Sequence, residues 1–162
     1  MARAVAAGLA AVVGLFAAEA SVRSVSVDDG GQLHLVLDSG KEVLPQKIEG
    51  QVAFDAALIA EDRRTVGWLV MYADPDGANR GPIAGKLAIY RAGRVLRTFD
   101  MEPVGWDWQF RDGGKRVAYS VGPTHGGADE CVLRDVESGR IVARWLPKSG
   151  GDPPEWAADL RY

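Results

Sequence analysis

One cysteine and two histidines stand among 162 residues, and these scarcities exclude most of the chemistry a small protein can carry. With Cys131 alone no internal disulfide can form, so stability has to come from packing in any redox compartment. His34 and His125 are too few to build a zinc centre by themselves. No His-Glu-x-x-His pattern, serine nucleophile elbow or Cys-His pair appears, so no metal and no cofactor is expected and no residue is assigned a catalytic role. Charge of one sign is also lacking: 19 basic and 22 acidic residues leave a net charge of -3, with no basic stripe for nucleic acid or an anionic membrane surface. The partner to expect is a protein or a small molecule. From Ala4 to Ala18 there is no polar side chain at all.

That apolar run follows Arg3 and ends at Ala18-Glu19-Ala20, a small, any, small pattern. Charge, apolar stretch and small-residue site in this order are the parts of a secretory signal peptide. The run is shorter than the roughly 20 residues needed to cross a bilayer, which argues against a spanning helix. Residues 1–20 are therefore read as a signal peptide cleaved after Ala20, and the mature chain 21–162 as periplasmic or secreted, with no membrane insertion after cleavage. An Ala-rich leader with one basic residue looks bacterial, and no cysteine at the cleavage point marks a lipoprotein. The mature chain keeps the net charge of -3 and is long enough for one domain with a real core.

What is present is β-patterning and a repeat. Ser21 to Val27 alternates with period two, Asp28-Asp29-Gly30-Gly31 makes a turn, and Gln32 to Leu37 alternates again, which predicts a hairpin. Three turns share one design, Ser39-Gly40-Lys41, Ala92-Gly93-Arg94 and Ser138-Gly139-Arg140, each followed by a short apolar strand. Glycine suits a turn that needs positive φ. Glu61-Asp62-Arg63-Arg64-Thr65-Val66-Gly67-Trp68 and Arg111-Asp112-Gly113-Gly114-Lys115-Arg116-Val117-Ala118-Tyr119, about fifty residues apart, each read as a charged turn feeding an apolar strand. A recurring strand and hairpin unit cannot bury its apolar face alone and needs a neighbour. The expected division is a partial unit over 21–50, a first full unit over 51–104, a second over 105–148 and a tail over 149–162. Within that tail, Asp152-Pro153-Pro154 followed by Glu155 to Leu160 predicts a short helix with Trp156 and Leu160 packed on the sheet.

The run Phe110-Arg111-Asp112-Gly113-Gly114-Lys115-Arg116-Val117-Ala118-Tyr119, with Leu133-Arg134-Asp135-Val136-Glu137-Ser138-Gly139-Arg140 after it, resembles a blade of the TolB-like and WD-like β-propeller repeats. The resemblance covers roughly 51–146. The later copy lacks the usual Ser-Pro before Asp-Gly, and the earlier copy, Glu61-Asp62-Arg63-Arg64, has no glycine. A closed propeller takes at least four blades, and this chain is long enough for fewer than three full ones. The resemblance therefore implies an all-β fold of antiparallel blade-like sheets, an incomplete propeller or a small sandwich. It further implies a binding platform with no shared catalytic residue.

Trp106, Trp108 and Phe110 alternate along a strand, which places them on one face, read as core. Function is expected in the loops. Residues 71–85 and 121–129 join the same pair of strands in successive units, so they should emerge on one edge of the protein. Asp74, Asp76, Asn79 and Arg80 in the first, with Thr124, His125 and Asp129 in the second, are the candidate binding residues. Asp74, Asp76 and Asn79 fall short of a calcium loop, lacking a third acidic position and the closing glutamate. The reading is an exported, non-enzymatic binding or scaffold module of the bacterial envelope. Its alternative is a small exported hydrolase centred on His125, with Asp129 or Glu130 beside it. The edge strand 21–27, with Arg23 as its only charge, is expected to add to the last unit or to pair with a second chain as a homodimer.

Overall fold

A computed structural model describes residues 20–75, 77 and 81–162. The leader assigned to 1–20 lies, but for Ala20, outside the described residues, as do the candidates Asp76, Asn79 and Arg80. The fold is all-β, in three antiparallel sheets that do not close into a ring. The first sheet holds β1 (Val22–Val27), β2 (Leu33–Leu37) and β3 (Glu42–Val43) in sequential order. The second is a four-stranded meander of β4 (Ala53–Ile59), β5 (Val66–Tyr72), β6 (Ile83–Arg91) and β7 (Arg94–Asp100). The third repeats that order with β8 (Val104–Arg111), β9 (Arg116–Gly122), β10 (Glu130–Asp135) and β11 (Ile141–Trp145). Three of the hairpin turns are the shared Gly-basic ones, and Gly40, Gly93 and Gly139 all have φ between 75° and 82° as that chemistry requires.

The sheets stack face to face, because period-two alternation gives each central strand two apolar faces to cover. Val22, Leu33 and Leu35 of the first sheet pack on Phe54, Val66, Trp68 and Val70 of the second. From the other face of the second sheet, Leu69, Leu87, Ile89 and Phe99 pack on Trp108, Val117, Tyr119 and Val132 of the third. β1 lies against β4 and β6 against β8. The expectation that β1 adds to the last unit does not hold: it pairs with β2 and donates the Val22 N–H to the Arg63 carbonyl in the turn between β4 and β5 at 2.7 Å.

Both ends of the stack are finished within the chain. The outer face of the first sheet is polar, with Ser24 and Ser26 exposed and His34 between the carboxylates of Asp28 and Glu42. The outer face of the third sheet, Ala118, Cys131 and Leu133, is covered by Ala157 and Leu160 of the C-terminal segment, with Trp145 and Trp156 at its margin. The helix expected in this segment is a single 3₁₀ turn, Glu155–Ala157, after which the chain runs back along β8 and β9. Terminal covers of this kind are what a stack of repeated units needs when it does not close on itself.

Candidate functional site

Two bulges open the space between the second and third sheets. On β4 the register with β5 slips between Asp55 and Leu58, and Ala56 sits at φ 45°, a left-handed conformation that costs a non-glycine residue on the order of 1 kcal/mol or more. Asp55 holds the kink by accepting the Ala56 N–H on Oδ1 at 2.7 Å. The displaced Ala56 carbonyl accepts the indole N–H of Trp108 at 2.9 Å, which ties the second sheet to the third. That ring lies so close to β5 that a Cβ on Gly67 would stand 2.5 Å from its Cη2, so only glycine fits there.

On β8 the register with β9 slips between Gly105 and Asp107, leaving Trp106 as the extra residue. This corrects the expected alternation. Trp108 is 1% exposed and Phe110 packs edge-on against it at 5.1 Å, but Trp106 is turned out of that row. Its ring lines a cleft of about 390 Å³, and its indole N–H is buried with no hydrogen-bond partner. Asp107 Oδ1 accepts the Trp108 backbone N–H at 2.9 Å, while Oδ2 accepts the Arg161 N–H at 3.1 Å from the C-terminal segment.

The cleft has an apolar floor of Leu69, Met71, Ile83 and Val104 and a polar rim of Asp55, Asp107, Thr124 and Arg161. Gly81 and Pro82 of the first candidate loop and Thr124 of the second both border it. Of the sequence-derived candidates, Thr124 lies at the cleft, half-buried. His125 points to solvent, and Asp129 is in ion contact with Lys148, so the structure does not assemble an acid–base pair around that imidazole. Asp74 is half-buried at the turn of its loop, accepting the Gly77 N–H on its backbone carbonyl at 3.3 Å. Asp55, Trp106, Asp107 and Arg161 were missed. For Trp106 and Asp107 the one sequence signal is the acidic residue set between two tryptophans in Gly105-Trp106-Asp107-Trp108; Asp55 and Arg161 have none.

Two other hollows are accounted for by structure. A basic one of about 470 Å³ gathers Arg63, Arg64, Arg91 and Lys115. Arg63 is paired with Asp38, and Arg91 reaches Thr65 and Glu137. Arg111 donates to the Trp156 carbonyl at 3.0 Å and thereby anchors the C-terminal cover over another. Trp68 also has an indole N–H with no partner, and it is fully buried between the first two sheets. Cys131 is buried too, and loss of solvent, with a smaller push from Glu130, raises its thiol to about 11, so it is inert in the folded protein.

No family model matches the chain, and no curated protein matches it. Three antiparallel sheets of three or four strands are the coarse form of the propeller-blade resemblance, and they stand on the geometry alone.

Proposed function

We propose that this chain is an exported binding module of the bacterial envelope, built from blade-like repeats of the TolB and WD kind, whose ligand docks in the cleft between the second and third sheets. The observation that carries the reading is the cleft of about 390 Å³ itself, lined by Trp106 over an apolar floor of Leu69, Met71, Ile83 and Val104. Support comes also from the two loops, which border the same cleft from successive units, as the inter-strand loops of stacked sheets do when they form one surface. A non-enzymatic role is favoured over a hydrolase because the side chains around His125 are committed elsewhere: Asp129 to Lys148 and Glu130 to Arg144.

The test is thermal-shift screening of the mature protein against a library of peptides, sugars and small metabolites, since a ligand that binds only the folded state raises its melting temperature. The reading expects hits that Trp106→Phe weakens and His125→Ala leaves unchanged. A hydrolytic activity of the wild type, lost in His125→Ala, would favour the enzyme instead. For the export claim, the intact mass of the protein from a bacterial periplasm should correspond to a chain beginning at Ser21.

A further inference from the structure

The cleft's charged groups differ in how far they are already committed. Asp55 uses one carboxylate oxygen on its neighbour's N–H, and its side chain makes no other hydrogen bond or ion pair with a described residue. Asp107 is only 19% exposed and has a guanidinium beside it: Arg161 Nε lies 3.5 Å from Oδ2. That distance is long for a hydrogen bond, and the Arg161 side chain is 81% exposed, so the cation rests at the acidic rim without being locked there. The chain's own penultimate residue thus shows which charge this rim accepts. Below it, Met71, Ile83 and Val104 offer apolar surface along which the methylene stem of a long cationic side chain can lie. Trp106 lines the same cleft, so its indole resonance reports on what enters there.

Building on the cleft as the binding site, we propose that it takes an arginine or lysine side chain of a peptide, with the methylene stem along the apolar floor beside Trp106 and the cationic head between Asp55 and Asp107, and that Arg161 is a built-in competitor for that place. Specificity then comes from two carboxylates that a neutral or acidic side chain would leave unpaired, or meet with like charge. Arg161 raises the threshold by occupying one of the two when no ligand is bound. Its backbone bonds, N–H to Asp107 and carbonyl to Ser120, keep the strand in place whichever cation is seated.

Nuclear magnetic resonance of ¹⁵N-indole-labelled protein tests this, with the Trp106 signal assigned from Trp106→Phe. The probes are N-acetylarginine amide, N-acetylleucine amide and N-acetylglutamate amide, titrated at low salt. The arginine probe is expected to shift the Trp106 signal saturably, and added salt should weaken it. Asp55→Asn should weaken it too, and Arg161→Ala and Arg161→Gln should tighten it about threefold to fivefold, the scale of one exposed ion pair. If the leucine or glutamate probe moves the Trp106 signal as strongly, the cleft stands as a site but the basic ligand is wrong. Loss of binding in both Arg161 variants would overturn the competitor role. If none of the three probes moves the Trp106 signal, the basic-peptide assignment falls, and the thermal-shift screen decides separately whether the cleft binds anything.

Discussion

At the scale of single residues, two side chains show how partners decide behaviour. His34 lies on the outer face of the first sheet with Nδ1 2.7 Å from Glu42 and Nε2 3.0 Å from Asp28. These hydrogen bonds, Glu42 first and Asp28 second, raise its pKa above the ordinary imidazole value. Asp28 is lowered, chiefly by the Gln32 N–H and then by His34. The raised imidazole stabilises the fold below the ordinary histidine range, and this is lost as pH rises through its folded value. The lowered carboxylate stabilises above the ordinary aspartate range, and this is lost as pH falls through its folded value. The cluster therefore contributes most between about pH 4 and pH 6.5. Melting temperatures of wild type and His34→Gln should differ more at about pH 5.5 than at about pH 9, and an equal difference at both would mean that the ion contacts do not persist in solution. Trp108 is the opposite case, a buried ring whose N–H is satisfied across two sheets. Trp108→Ala is expected to cost about 3 to 5 kcal/mol in urea unfolding, and a variant as stable as wild type would place the ring outside the core.

At the scale of elements, the strands and hairpin turns were legible because period-two alternation and Gly-basic turns are local signals. Val22–Val27 and Leu33–Leu37 fall where the alternation puts them, and Gly93 and Gly139 sit at the turns. Trp106 was not legible. Its departure from the row is made by a bulge that exists only because β9 and the other sheet fix the register on either side, and no residue within the strand announces it. Arg161 was invisible for a similar reason, since its neighbour Asp107 lies 54 residues away. The C-terminal segment reads as a short helix from its Asp152 N-cap, early prolines and helix formers, and the structure has one 3₁₀ turn there, from which Ala157 with Leu160 covers the outer face of β9 and β10. A chain ending at Gly151 should therefore melt lower and, in native buffer, expose Cys131 to a thiol reagent that does not react with the full chain. A truncated protein with an unreactive Cys131 would show that the segment covers nothing.

For the whole molecule, three sheets with a polar face at one end and a covering tail at the other bury their two inter-sheet cores within one chain. The unfinished ring is thus a finished stack, and two bulged strands, β4 and β8, line the cleft between its second and third sheets. The central claim is that this cleft, and not the His125 loop, is where the protein acts. Because Cys131 is buried and inert, a thiol introduced as Asp55→Cys can be labelled alone. The most direct measurement is the melting-temperature response to the strongest ligand found by screening, before and after a bulky maleimide is attached at that position, beside His125→Ala. The account predicts that the label abolishes the response and that His125→Ala preserves it. A response that survives the label and disappears in His125→Ala would contradict it.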